Sequence, residues 1–522
     1  MRRLGAAAAA ALLLAPVGAA SAQLRFGVAD ETGKYADDGG AGIYSALHDL
    51  GMTEDRFTIR WDATQPQTIP EQQFLDRSVP VAAARGVRII FDIYPLRADA
   101  ITSSPGATDQ FASFLQLVAR TYSPSVVIVG NEPNQGRFWQ PQFDASGKPV
   151  AGAAYEAFLA QSYDALKAVN PAIDVVAGGP SNRGNDNPNA PDNVSTSPVR
   201  FIHDLGVAYR QSGRTKPIMD QLGFHPYPLA NDDPVTKNYQ WPSVGVADLA
   251  RLRQAIWDAF HETAQPTFAE NGGLASADAL TLVIDEIGWQ VGVVPGSAGA
   301  YSGAENVTTI DEPTQAKTYS DLVHLVSCEP GVTDLLLFQL IDQSNLETFQ
   351  SGLFRADWSI RPSYGSMKTA IGQTGGNCVD RPVGWQHVTN VTGARAGTCA
   401  PGAHGPTQSY WSFLVGAEEE ATYRAGIFRI GAGPATSLPA RLDRSLAGAG
   451  GMTAALVSTG GLRPYVGRLI RFPSKKLKPG RYVCAARLAA TMNTGRSSTV
   501  VGKPFTVYPS FAAAAAARRR GG

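Results

Sequence analysis

The sequence predicts an α/β protein, a (β/α)8 TIM barrel followed by a smaller all-β sandwich, on three observations. Eight short, largely apolar runs rich in β-branched residues alternate with longer amphipathic stretches between residues 24 and 371. Strands that are each followed by a helix imply a parallel sheet covered on both faces. An open doubly wound sheet fits that alternation too, but eight units in roughly 350 residues match the closed barrel. After Cys378 the text becomes rich in Gly, Thr, Ser and Pro, with short alternating runs and turn signals, as a β-sandwich requires. The chain has 522 residues, more than one core usually supports, so two domains are expected.

At the start, Arg2 and Arg3 precede an apolar stretch from Ala6 to Ala20, and Ala20-Ser21-Ala22 gives a small-x-small cleavage pattern. Residues 1–22 therefore read as a signal peptide of a secreted, extracellular protein. The apolar part is shorter than the ~20 residues a spanning helix needs, and no later stretch qualifies, so no membrane partner is expected.

The barrel is expected over 23–375. Its strands are the runs Leu24 to Ala29, Phe57 to Trp61, Val87 to Ile93, Val126 to Gly130, Ile173 to Gly178, Asp220 to His225, Leu282 to Asp285 and Leu335 to Gln339. Helices are expected near Gly42 to Leu50, Glu71 to Arg85, Asp109 to Tyr122, Ala153 to Val169, Pro198 to Gln211, Val246 to Thr263, Thr314 to Ser327 and Pro362 to Ile371. Gly51 and Gly86 stand where a helix ends on a left-handed residue. The sandwich is expected over 380–510, with helical periodicity nearly absent, and the Ala- and Arg-rich tail 511–522 as a disordered end. Export permits disulfides; pairing Cys328 with Cys378 and Cys399 with Cys484 keeps each bridge within one domain, though three pairings are possible.

Forty-five basic residues against 45 acidic ones give a net charge of zero, which argues against nucleic acid. The scattered histidines and cysteines form no CxxC, HxxxH or HExxH, so neither a metal nor a cofactor is expected.

In such a barrel the reactive groups stand at the C-terminal ends of strands. The fourth run ends Gly130-Asn131-Glu132-Pro133 and the seventh Asp285-Glu286-Ile287-Gly288-Trp289, each placing a carboxyl group just beyond an apolar strand. Two such groups at one mouth suggest a carboxylate pair acting on something between them. Alone, Glu132 reads equally as a helix-start carboxylate. Asp285, neighbouring Glu286 on the strand, is expected to point the opposite way and to be structural.

These motifs resemble those of the retaining glycoside hydrolases of clan A, the cellulase-like barrel enzymes. The resemblance implies Glu132 as general acid/base and Glu286 as nucleophile, with the Asn131 amide on the sugar 2-hydroxyl. His225-Pro226-Tyr227 is similar to the clan's His-x-Tyr, which places the Tyr227 hydroxyl on the nucleophile; His225 itself reads as a hydrogen-bonded residue of the cleft rim at the substrate site rather than a proton shuttle, and Arg60 resembles the strand-two arginine beside the nucleophile, with a structural ion-pair partner as the alternative. A cation and a hydroxyl donor there would favour the anionic nucleophile. The chain departs from the pattern in having Gln290 after Trp289 and no Trp in Leu335 to Leu340. Among the rim aromatics Trp61, Tyr94, Trp139, Trp241 and Trp289, Trp139 and Trp289 are the candidate sugar platforms, with packing in the core as the alternative reading.

The implied activity is retaining hydrolysis of O-glycosidic bonds in a β-linked oligo- or polysaccharide. A non-catalytic carbohydrate-binding barrel and a transglycosylase are the alternatives. The C-terminal domain would either hold the enzyme on a glycan or cell wall or serve as a structural module.

Overall fold

The computed structural model of the chain describes residues 23–270, 279–404, 408–431, 438–450, 452–472, 477–492 and 495–508. The expected signal peptide and tail lie outside them.

Eight parallel strands close a barrel in sequence order: β1 (Arg25–Val28), β2 (Glu54–Trp61), β3 (Arg88–Pro95), β4 (Val126–Val129), β5 (Asp174–Ala177), β6 (Gln221–Phe224), β7 (Thr281–Ile287) and β8 (Val332–Leu337). The seam is β1 against β8, with Phe26 opposite Leu335 and Val28 opposite Leu337. Around it lie α1 (Thr32–Tyr35), α2 (Ala41–Leu50), α3 (Gln72–Ala84), α4 (Ala100–Ser103), α5 (Ala107–Tyr122), α6 (Ala151–Val169), α7 (Pro198–Ser212), α8 (Leu249–Phe260), α9 (Glu312–Ser327) and α10 (Pro362–Thr374). Local chemistry sets several ends. Ser197 and Asp311 accept from the backbone N–H groups of Arg200 and Thr314 at the starts of α7 and α9, each with a proline in the first turn. Gly51 closes α2 at φ 78°, a conformation that costs a residue with a Cβ.

The barrel interior is layered. At the bottom Arg25 bridges Glu54 at 2.8 Å and Asp334 at 3.0 Å, and Arg88 joins Asp334 at 2.8 Å. Above lies an apolar layer that includes Ile90, Ile128, Val176, Val283 and Leu336. Above that the interior turns polar again at Arg56, Asp92 and Asp285, all buried. The larger apolar cluster fills the space between strands and helices, where amphipathic faces such as Tyr155, Phe158, Leu159 and Leu166 of α6 are covered.

The second domain comprises β9 (Arg395–His404), β10 (Gln408–Gly416), β11 (Ala421–Arg429), α11 (Leu438–Leu446), β12 (Ala454–Leu462), β13 (Arg468–Phe472), β14 (Gly480–Ala490), β15 (Ser497–Val501) and β16 (Phe505–Val507). Its antiparallel strands form one sheet in the order β13-β10-β9 and another in the order β12-β11-β14-β15, with β16 on β14. Helix α11 departs from the expected all-β text. It is short, and Leu442 and Leu446 pack on Phe428 and Val483, so tertiary burial rather than a long periodic pattern sustains it. Disulfides join Cys328 to Cys378 and Cys399 to Cys484, the latter linking β9 to β14 across the two sheets. The domain docks on α7 and α8: Arg496 contacts Asp258 at 3.3 Å, and Gln254 exchanges hydrogen bonds with the Val388 backbone at 2.8 and 3.2 Å. No described helix is long and apolar enough to cross a membrane.

Candidate active site

Strand β4 ends where Gly130 turns at φ 88°, and Glu132 follows at φ 37°. The left-handed region costs a non-glycine residue ~1–2 kcal/mol, so the surrounding contacts must hold the turn. They do: Tyr155 donates to Val129 O at 2.6 Å and accepts from the Gly178 N–H at 2.7 Å, and Glu132 N–H donates to Gly179 O at 3.2 Å. A Cβ on Gly130 would lie 3.1 Å from the Tyr155 ring. The result aims the Glu132 carboxyl into the barrel mouth.

Glu286 arrives from the far side on β7. Tyr227 donates to its Oε2 at 2.9 Å, and Arg56 pairs with its Oε1. Behind both carboxyls stands His225, fully buried, with Nδ1 3.1 Å from Glu132 Oε1 and 3.6 Å from Glu286 Oε2, and Nε2 3.2 Å from Asp285 Oδ2. The sum of the two Nδ1 distances, about 6.7 Å, is an upper limit on the separation of the nearest Glu132 and Glu286 oxygens. Burial by itself would push the imidazole down, but the charges of Glu286 and Asp285 and the hydrogen bonds to Asp285 and Glu132 outweigh it and hold His225 well above the ordinary histidine range. Asp285 is the counterpart: burial would raise it, yet His225 and Arg56 hold it below the usual carboxylate range. Since both ring nitrogens face carboxylate oxygens, one proton must lie between Glu132 Oε1 and His225 Nδ1, on whichever atom carries it.

Arg56 is buried at the centre of this network, 3.2 Å from Asp92 and 3.4 Å from Asp285 as well as paired with Glu286. Its neighbours hold its guanidinium above the ordinary arginine value against the opposing effect of burial. Burial pushes Asp92 up to about 8 despite Arg56 beside it, so near neutral pH the Arg56 charge serves chiefly Asp285 and Glu286.

The structure corrects several placements. The cation beside Glu286 is Arg56, not Arg60. Residues 54, 56, 58 and 60 share a face of β2, but the strand runs past the barrel mouth, so Arg60 is exposed in the cleft with its guanidinium 5.9 Å from the Tyr94 ring centre. Asp285 and Glu286 both reach His225 and Arg56 instead of pointing apart, because the β7–β8 register shifts between Ile284 and Ile287 and breaks the alternation. His225 lies behind the carboxyls rather than on the cleft wall. Trp139 and Trp289 are core: Trp139 packs on Tyr155 and Phe158, and Trp289 packs on Tyr319 and donates to Asp233 O at 3.0 Å. Trp61 is buried against Phe111. The partly exposed rings that line the cleft are Phe138, Tyr227, Phe338 and Phe349, of which Phe338 follows β8 where a tryptophan is missing.

Sequence reasoning passed over Arg56 and Asp92. The available signal was chemical: a mid-strand cation in Asp55-Arg56-Phe57 and a mid-strand acid in Phe91-Asp92-Ile93 both need a buried partner of opposite charge.

The cleft over Glu132 and Glu286 has a volume of about 890 Å³ and is also lined by Asn131, Asn182, Gln290 and Gln339. Each of these four amides has a buried side-chain oxygen without a hydrogen-bond partner. The cleft thus offers side-chain amides, which can both donate and accept, alongside its two carboxyls. Among the described residues no group of three or more His, Cys, Asp or Glu could hold a metal ion.

No family model matches the chain, and no curated protein matches it. Among solved structures it is similar to a family 39 glycoside hydrolase from Bacteroides cellulosilyticus at 15% identity and TM-score 0.46, covering 87% of this chain and 81% of that one. A GH5_18 structure from Streptomyces cattleya in complex with GlcNAc matches at 14% identity and TM-score 0.46, over 73% and 85% of the two chains. A monomeric β-xylosidase from Caulobacter crescentus matches at 12% identity and TM-score 0.42, over 90% and 98%.

Proposed function

We propose that the chain is a secreted retaining glycoside hydrolase that cleaves a β-linked oligo- or polysaccharide, with Glu286 as nucleophile and Glu132 as acid/base. The observation that carries this reading is the pair of carboxyls gathered on one histidine nitrogen and opening into one cleft. Retaining enzymes hold their two carboxyl groups ~5–5.5 Å apart and inverting enzymes ~6.5–9.5 Å apart, and the upper limit set through His225 falls at the bottom of the inverting range, which favours the retaining arrangement. The amide side chains of Asn131, Asn182, Gln290 and Gln339 along the cleft supply hydrogen-bonding groups suited to a hydroxyl-rich ligand.

In the first step a Glu286 oxygen bonds to the anomeric carbon as the bond to the leaving oxygen breaks, and that oxygen takes a proton from the Glu132 carboxyl facing the cleft. Arg56 and Tyr227 fix the attacking carboxylate through its two oxygens, so it meets the sugar already oriented. In the second step a water attacks the same carbon, Glu132 takes its proton, and Glu286 leaves. Asp285 completes the chain by fixing the His225 ring through Nε2. Asn131 lines the cleft beside Glu132, and in this reading its amide bonds the sugar 2-hydroxyl. Secretion belongs to the same reading and is supported by the pattern of residues 1–22 and the two disulfides.

The test is a panel of aryl β-glycosides with the product anomer followed by NMR. Glu286→Ala is expected to lose nearly all turnover and Glu132→Ala about 10²–10⁴-fold, with the β-anomer appearing first. An α-anomer appearing first overturns the retaining mechanism, and a wild-type protein that binds sugars without turning any over is a binding barrel.

A further inference from the structure

We infer that the leaving-group side of the cleft recognises an anionic substituent, a carboxylate or a sulfate ester, through Arg137 and Arg183. The inference rests on the hydrolase reading above for its sense of direction. An acid/base must touch the leaving oxygen, so the departing unit extends over the Glu132 side of the mouth. That side is built by the segments following β4 and β5. They are tied together: Gln135 donates to Arg183 O at 2.6 Å, Asn134 to Ser181 O at 3.1 Å, and the Gly136 N–H to Val194 O at 3.0 Å. Each segment presents one exposed arginine to the cleft.

Neither arginine has a carboxylate partner within 4.0 Å among the described residues. Arg183 donates to the Pro228 carbonyl at 2.9 Å, which steadies the side chain without neutralising it, and Arg137 rests 5.0 Å from the Phe138 ring centre. The acids elsewhere on the cleft wall do not offset them. Glu31 is paired with Lys34 and accepts from the Thr58 N–H at 2.6 Å. Asp232 follows Asn231, which accepts from Gln290 N–H at 3.2 Å, so it stands on the β7 side. A second hollow of about 710 Å³ abuts the first at Arg137 and Asn193, giving room for a further sugar. Its Asp144 carboxylate is occupied by the Ser146 and Lys148 N–H groups of its own turn at 2.8 and 3.0 Å. Two unneutralised guanidinium groups flanking the path of the departing unit match an anion on that unit, because arginine pairs carboxylate and sulfate oxygens through its planar fork.

The experiment compares one turned-over sugar carried on 3-carboxyphenyl, 3-sulfophenyl and 3-carbamoylphenyl leaving groups, in the wild type and in Arg137→Gln/Arg183→Gln. Taking each ratio against the carbamoyl compound and then between proteins cancels leaving-group chemistry. The carboxyl or sulfo preference in kcat/KM is expected to fall about tenfold in the double variant, as exposed charge-assisted bonds are lost, and to weaken with salt in the wild type. The arm with the larger ratio separates a carboxylate from a sulfur oxyanion, the sulfonate standing in for the sulfate ester. A double variant that folds and keeps the wild-type ratio overturns the inference and leaves the hydrolase reading standing. Calorimetry with oligogalacturonates, chondroitin sulfate oligosaccharides and neutral xylo-oligosaccharides is the arm independent of turnover. Arginine-dependent binding of an anionic oligosaccharide without turnover of any glycoside overturns the hydrolase reading while retaining anion recognition. Equal binding of charged and neutral oligosaccharides overturns the inference.

Discussion

Replacing Arg56 by Met removes the guanidinium that Asp285 and Glu286 share on β2 and leaves His225 as their other cationic neighbour. The guanidinium is buried, with its side chain 4% exposed, and so is Asp285, at 0%. Loss of one member of a buried charged network costs ~3–5 kcal/mol where it leaves a charge uncompensated, and because His225 still faces Asp285 the lower end of that range is expected. Asp92 adds little to that figure, since burial already pushes it up to about 8 and it holds a proton near neutral pH. Glu286, with 12% of its side chain exposed, recovers some water, whereas Asp285 does not. Arg60→Met should cost at most ~1 kcal/mol, because that side chain is exposed and its main neighbour is the Tyr94 ring. Urea unfolding of both variants at pH 7, with matched slopes, gives the comparison. Glycoside turnover should collapse in Arg56→Met as the nucleophile loses its orientation. An Arg56→Met protein within 1 kcal/mol of wild type, or an Arg60→Met protein damaged as severely, would refute the assignment of the buried cation.

Two further outcomes follow from the same network. A Cβ on Gly179 would sit 2.6 Å from His225 Cδ2 and 2.8 Å from Asp285 Oδ1, so Gly179→Ala should cost ~1–3 kcal/mol in denaturant unfolding. It should also lower kcat/KM about a hundredfold by displacing the ring that holds Glu132, and retention of activity within twofold would show that the close approach is unimportant. The Asp92 carboxyl, raised in the fold to about 8 from an ordinary ~3.9, contributes stability that is full below about pH 4 and is lost as pH rises through 8. Asp92→Asn cannot ionise, so its stability relative to wild type should improve as pH is raised from about 5 to about 9. A difference between the two proteins that stays constant over that range would contradict the burial of this acid.

Legibility in the sequence followed the range of the physics involved. Alternating apolar strands and amphipathic helices are local patterns, and the barrel order followed from them with ends displaced by a few residues, as at β2, which begins at Glu54 rather than Phe57. Glu132, Glu286 and Tyr227 were placed in the mouth by their positions at strand ends, and the structure does bring Tyr227 to Glu286 and both glutamates to His225. Aromatic residues stayed open between sugar platform and core where only burial could decide: Trp139 and Trp289 follow the same strands as the two glutamates, yet their loops fold them back onto α6 and α9.

The sequence by itself determined the number of strands, their parallel order and the two acids at the ends of β4 and β7, because each depends on periodicity or on adjacency along the chain. Only the tertiary structure decided which arginine of β2 meets Glu286, since Arg56 and Arg60 lie on one face and differ solely in their height relative to the barrel mouth. It alone also turned Asp285 toward the same histidine as Glu286, through a shift in strand register. Such heights and registers are settled by the closure of eight strands on one another, with contacts such as Arg56 to Asp285 spanning 229 positions. No local pattern encodes a distance of that kind.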